Sequence, residues 1–114
     1  MNPEVVNAFA LAIVADGQGP AYHGLSGHEP SIGPGRNSRE RIARCMNRLR
    51  AVVAEQGAYV SESNYFEKGW QHSYWGSNYP RLAAVKEKYD PDGVFYVHHG
   101  VGSERWSAAG FTRR

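Results

Sequence analysis

Tyr74-Trp75-Gly76-Ser77-Asn78-Tyr79-Pro80-Arg81-Leu82, continuing through Val85-Lys86 to Tyr89-Asp90-Pro91-Asp92-Gly93-Val94-Phe95, decides how this chain is read. An aromatic turn containing glycine leads into a short amphipathic helix, then a tight turn and a strand. Pro80 suits the opening of a helix, where its missing N–H costs nothing. Leu82, Val85 and Tyr89 then recur on one side, and Lys86 and Lys88 lie where the helix dipole is negative. In Asp90-Pro91-Asp92-Gly93 the proline sets one turn dihedral and the glycine permits another. Val94-Phe95-Tyr96-Val97 has the composition of a short strand. Aromatic and amide side chains bunched where a chain changes direction are unusual on an inert surface and common where protein closes over a flat ring.

Outward from this stretch the elements are less regular. Residues 2–15 predict a helix, with Asn2 as cap, Pro3 at the first position and Glu4 complementing the positive dipole end. Its apolar residues (Val5, Val6, Phe9, Leu11, Ala12, Ile13) spread beyond one stripe, so it needs cover on two sides. Gly17 reads as its stop, and residues 16–37 as a long glycine- and proline-rich loop of the kind that is either functional or flexible. A second helix is expected from Ser38 to Glu55, ended by Gly57, with Ile42, Cys45, Met46, Leu49, Val52 and Val53 on one face. On that face Cys45 reads as core. Arg39, Arg41, Arg44, Arg48 and Arg50 fall mostly on the other faces, as a solvated surface or a docking surface for acidic groups or phosphate. Ala58 to Glu62 reads as a short extended segment and Phe66 to Trp75 as a turn or two of helix. His98 to Arg114 is a Gly/Ser-rich tail in which Trp106 and Phe111 need a surface to lie on.

Composition narrows the class. The chain has 114 residues, a single cysteine, six prolines, thirteen glycines and a net charge of +2. That charge excludes a general nucleic-acid footprint, and one cysteine cannot form an internal disulfide. No apolar run approaches the roughly 18–20 residues a membrane span needs. Met1-Asn2-Pro3-Glu4 lacks the basic start of a signal peptide. The fold class that results is α+β: helices with one or two short strands, and too much unpaired backbone to close a domain alone. We expect a fragment of something larger, divided as residues 1–37, the end of a preceding region and its long loop, and residues 38–114, a C-terminal region.

Residue by residue, the opening stretch supports two readings. Tyr74, Trp75 and Tyr79 can stack on a ligand or form core. Asn78 carries a donor and an acceptor on one planar amide, and serves equally as a helix cap or as a partner for the edge of a planar heterocycle. The five histidines at positions 23, 28, 72, 98 and 99 do not make a zinc pattern, because no pair has the His-x-x-x-His spacing. In a strand, His98 and His99 would point to opposite faces. Glu62 and Glu67 form no convincing acid/base pair, and no nucleophile motif is present.

The order and spacing of these motifs resemble the C-terminal segment of berberine-bridge-type FAD-linked oxidases. There an aromatic-Trp-Gly-x-Asn-Tyr-x-x-Leu string precedes a basic helix and Asp-Pro-x-Gly-x-Phe. Tyr59-Val60-Ser61-Glu62 is similar to the family's Tyr-x-Asn segment, and Gly100 to Trp106 resembles a microbial branch. Met1 to Ile13 resembles the point where the substrate-domain sheet gives way to helices. The likeness covers essentially the whole chain and is strongest over residues 58–106. It implies a two-domain FAD-linked oxidase fold, in which this segment packs on an N-terminal FAD-binding domain missing here and contributes residues beside the isoalloxazine. It implies hydride transfer from an alcohol, sugar or amine-type small-molecule substrate to FAD, with oxygen as final acceptor.

On that pattern Tyr59 matches the active-site tyrosine, a candidate catalytic base, while Asn78 and Tyr79 match cofactor-binding positions near the flavin. A phenol ordinarily titrates near 10, so base catalysis near neutrality asks its surroundings for a shift of about 3 units, about 4 kcal/mol. Two departures stand out. Ser61 replaces the usual Asn, and the glycine-rich pyrophosphate loop and the flavin-tethering His or Cys have no counterpart in this chain. The resemblance therefore implies an enzyme portion that is inactive alone. The competing reading is a non-catalytic binding module, or orphan fragment, whose aromatic surface mediates protein association.

Overall fold

The computed structural model describes residues 1–53 and 56–114. They divide into two compact units, Met1–Phe9 with Glu55–Arg114, and Ala10–Ala54. Among the described residues three α-helices carry the fold: α1 (Ile32–Arg50), α2 (Trp70–Trp75) and α3 (Tyr79–Tyr89). Single 3-10 turns occur at Pro3–Asn7, Val60–Glu62, Gly76–Asn78 and Ser103–Arg105. Extended pairing among the described residues is limited to one antiparallel bridge, Trp106 with Arg113. The α+β expectation therefore stands in a strongly helical form. No helix among the described residues is long and apolar enough to cross a membrane.

In the larger unit, α2 is the organising element. Trp70 and Tyr74 lie one turn apart on one face and are the buried hydrophobic side chains of the described residues, 8% and 1% exposed. Tyr74 donates its hydroxyl to the Asn64 carbonyl (3.2 Å), which keeps its polar end satisfied inside. Gly69 enters α2 at φ 68° and Gly76 leaves it at φ 53°. The helix is thus only six residues long, stopped at both ends by left-handed backbone that glycine adopts without strain.

The N-terminal segment docks on the end of α2 through one amide. Asn2 is 1% exposed. Its Nδ2 donates to the carbonyls of His72 (2.9 Å) and Ser73 (3.1 Å), and its Oδ1 accepts from the Glu4 N–H (3.1 Å). A Cβ on Gly76 would lie 2.5 Å from that Oδ1, so glycine is needed there for space as well as for its backbone. Ala58 donates its N–H to the Ser73 carbonyl (2.8 Å), which lays the chain leading to Tyr59 along the same helix.

Asn2 and Pro3 open a helical turn as expected, but the helix predicted for residues 2–15 stops at Asn7, and Ala8 is already extended at ψ 130°. Branched Val5 and Val6 are poor helix formers, and an uncovered helix of this length is marginal in water. Phe9 is fully exposed at 102%. The strand expected at Val94–Val97 is absent: among the described residues the segment has no sheet partner, and Lys86 Nζ donates to the Phe95 carbonyl (2.7 Å). Asp90 holds this turn by accepting from the N–H groups of Val94 (2.8 Å) and Phe95 (3.1 Å). The tail finds part of the surface it needs. Trp106 packs so closely on Gly93 that a Cβ there would be 2.3 Å from its ring, whereas Phe111 stays 91% exposed.

In the second unit, α1 begins at Ile32, six residues before the expected Ser38. Pro34 falls in its first turn, where amide donors have no partner within the helix, so proline does not break it. The helix ends at Arg50, and Ala51 and Val52 close it by donating to Asn47 and Leu49 (both 3.1 Å). The last residues of the predicted helix, 54–55, lie outside the described residues. Cys45, expected in a core, is exposed, and no residue of α1 is buried. Its Ile42–Met46–Leu49 face has no opposing core among the described residues of its unit. Within the expected loop, a compact turn forms in which the Tyr22 N–H donates to the His28 carbonyl at 2.7 Å. Asp16 pairs with Arg41 of α1, and that guanidinium is the main cause of a lowered Asp16 pKa.

Replacing Asn2 by Ala should remove its contacts to α2 and leave the His72 and Ser73 carbonyls without their donor. We expect a loss of about 1–3 kcal/mol in urea unfolding. Asn2→Asp should cost at least as much, because it turns a donor into an acceptor facing two carbonyls. An unchanged urea midpoint in both variants would remove Asn2 from this role.

Candidate functional site

The buried face of α2 continues into a column of flat rings. Trp70 stacks on His99 (5.4 Å between centroids, planes 16° apart) and His99 lies against His98 (3.8 Å, 30°). His98 stacks in turn on Tyr65 (4.0 Å, 15°). Phe66 meets the far end edge-on at 5.2 Å, and Tyr79 meets Trp70 edge-on at 5.6 Å. In an extended strand the two histidines would point to opposite faces. They lie side by side instead, because His99 adopts a left-handed backbone (φ 59°) that reverses the alternation. The His98 ring is also within hydrogen-bond distance of the Tyr65 carbonyl, 2.9 Å from Nε2.

Tyr79, the first residue of α3, has a fully engaged hydroxyl. It donates to the Glu104 carboxylate, whose two oxygens are both 2.7 Å away, and accepts the Gly102 N–H at 3.2 Å. Burial first, then Glu104, pushes this phenol up to about 12. The Tyr79 hydroxyl therefore keeps its proton at neutral pH.

Asn78 stands at the N-cap position of α3, but its side chain does not cap the helix. Its backbone is already helical (φ −75°, ψ −17°) with no side-chain cap bond, and its Nδ2 donates to the Met1 carbonyl at 3.0 Å. Tyr59 precedes the Val60–Glu62 turn, accepts the Glu62 N–H at 3.1 Å and is 52% exposed. Asn78 and Tyr79 are adjacent at the start of α3. Among the described residues no hydrogen bond or ring contact joins Tyr59 to either. Glu67 is buried at 6% exposure and accepts from the Ser73 hydroxyl at 3.0 Å. Among the described residues no cluster of three or more His, Cys, Asp or Glu could hold a metal ion.

In the sequence His98 and His99 stood out only as a rejected zinc pattern, and Glu104 only within the Gly100 to Trp106 string, with no role of its own. Adjacency and a following glycine were the available signal for the His pair. Glu104 had none, since its partner lies 25 residues away.

Residues 58–102 match the berberine and berberine-like family. An FAD-linked oxidoreductase of Gibberella zeae is 47% identical over 64 residues, which is 56% of this chain and 11% of that protein. A VAO-type flavoprotein oxidase of Thermothelomyces thermophilus is 56% identical over 58 residues, 51% of this chain and 10% of that protein. An FAD-linked oxidoreductase of Arthroderma otae is 39% identical over 87 residues, 75% of this chain and 14% of that protein. The chain thus spans only about a tenth of the length of these first two relatives. No solved structure matches it.

The ring column predicts a pH dependence. Burial, with His98 beside it, keeps His99 below its ordinary 6.5, while Glu67 opposes the shift. The unfolded chain then binds the proton more readily, so stability is full above 6.5 and declines as pH falls toward the lowered value. The melting temperature should drop between about pH 7.5 and about pH 5.5. His99→Asn, which tolerates positive φ, should flatten that slope; equal slopes in both proteins would exclude His99 as its source.

Proposed function

We propose, from the premise that residues 58–102 are a berberine-bridge-type region, that this chain is the C-terminal portion of an FAD-dependent oxidoreductase. The parent passes a hydride from an alcohol, sugar or amine-type substrate to the flavin, with oxygen as acceptor. The observation that carries the reading is the placement of Asn78 and Tyr79 side by side at the start of α3, within the matched residues. Their neighbour Trp75 has a buried indole N–H with no acceptor among the described residues.

The residues present suit one side of a flavin ring: planar aromatics, an amide and a tyrosine that stays protonated. They do not supply a pyrophosphate cradle, so an N-terminal FAD-binding domain is the required partner and the isolated chain is inactive. Flavin, when bound, supplies the hydride acceptor. Tyr59, half exposed and free of ring contacts among the described residues, is the phenol we assign to the substrate side as the base. Asn78 and Tyr79 are assigned to the flavin side. Residues 1–37 then continue from a substrate domain, and 38–114 form the C-terminal region.

A chimera tests this. The Thermothelomyces oxidase, with its matching segment exchanged for the one from this chain, should retain FAD and be reoxidised by oxygen, whereas the 114-residue chain alone should not bind FAD. A folded chimera that loses its flavin would overturn the reading in favour of a binding module. In the same chimera Tyr59→Phe should slow flavin reduction by about 100-fold or more while FAD retention changes little. Equal losses in both would remove Tyr59 from the base role.

A further inference from the structure

Glu104 lies just beyond the residues that match the berberine-like family, yet it makes the closest polar contact to one of the proposed flavin-side residues. An ionised carboxylate only accepts hydrogen bonds, so the proton between Glu104 and Tyr79 belongs to the phenol and points at the carboxylate. The phenol oxygen accepts the Gly102 N–H on its other side. Its donor is thus committed, and removing its proton would set a phenolate against a carboxylate.

The same short tail is fastened to α3 twice. Glu104 reaches Tyr79 at the first residue of the helix, and Arg105 pairs with Glu87 near its end. Those anchor points are eight residues apart, about 12 Å along the helix axis. Arg113, further along, also approaches Glu87 at 3.9 Å. Trp70 holds the other end of the arrangement by meeting the Tyr79 ring edge-on. Ring plane and hydroxyl are therefore fixed by different elements, α2 and the tail.

We propose that Glu104 is a positioning residue that locks Tyr79 as a protonated, rigid wall of the site and bars it from proton transfer. The wall role rests on the reading of Tyr79 as a flavin-side residue; the lock itself does not. Two consequences follow from the geometry. Proton abstraction in the parent is left to Tyr59 among these tyrosines, and the tail after Gly102 becomes part of the site's support.

The test uses the 114-residue chain labelled with 13C at the tyrosine ζ carbon, with Tyr79→Phe identifying its resonance. In the unaltered chain this tyrosine should titrate last, near 12, and in Glu104→Gln its midpoint should move back toward 10.0 without reaching it, because burial remains. At neutral pH a slowly exchanging Tyr79 hydroxyl proton should be visible and should be lost in Glu104→Gln. Should that variant fail to fold, Glu104→Asp, which keeps the charge on a shorter arm, should show an intermediate exchange rate. An unmoved midpoint and an unmoved hydroxyl signal in a folded variant would overturn the lock.

A second arm separates the two readings. In the FAD-bearing chimera extended to include residue 104, Glu104→Gln should alter the flavin absorption spectrum and add an alkaline ionisation to the pH profile of flavin reduction. If the chain titrates as expected but spectrum and profile stay unchanged, the wall role falls and the lock remains. If the chimera never held flavin, the failure belongs to the proposed function.

Discussion

Trp70 and Tyr74 share one face of a six-residue helix, and the larger unit is arranged around the need to keep that face dry. Burying side chains of this size contributes about 1.5–3 kcal/mol each, which makes two of them a large share of what so small a core can offer. α2 is too short to persist in water without such packing. Its ends are therefore supported by contacts distant in sequence: Asn2 on the carbonyls of His72 and Ser73, and the His99 ring on Trp70.

Polar contacts supply much of the remaining order. Lys86 pairs with Asp90, and Asp90 in turn accepts from Val94 and Phe95. A segment with strand composition is thereby held as a turn, because its backbone groups find partners on Lys86 of α3 and on Asp90 just after it. Glu104 and Arg105 tie the tail to opposite ends of α3. Exposed ion pairs contribute little individually, but these connect the tail to a single helix at defined places.

Much apolar surface stays uncovered. Phe9, Leu11 and Ile13 in one part of the chain, and Val94, Phe95 and Phe111 in another, are largely exposed. Such residues are normal when scattered singly, but here they are many beside so little buried core. The relatives match the chain over only about a tenth to a seventh of their own lengths.

The sequence by itself determined the local elements whose signals are local. Pro80 and the apolar spacing after it marked α3, the turn of helix expected from Phe66 ended at Trp75 as read but began only after Gly69, and Asp90 to Gly93 made a turn, because backbone dihedrals and i, i+4 spacing act over a few residues. The ordered motifs from Tyr59 to Trp106 likewise placed the chain beside flavin-linked enzymes. It misjudged residues 2–15 and 94–97, where propensity was present but the cover or partner strand that propensity needs was not. It also missed Pro34 inside a helix, since a first-turn proline resembles a loop proline. Only the tertiary structure decided what Asn78, the two histidines and Glu104 do. Asn78 holds Met1 rather than capping a helix, one left-handed residue brings His98 and His99 into a common column, and a carboxylate 25 residues away occupies the Tyr79 hydroxyl. Those pairings depend on where the chain returns in space, and no local spacing encodes that.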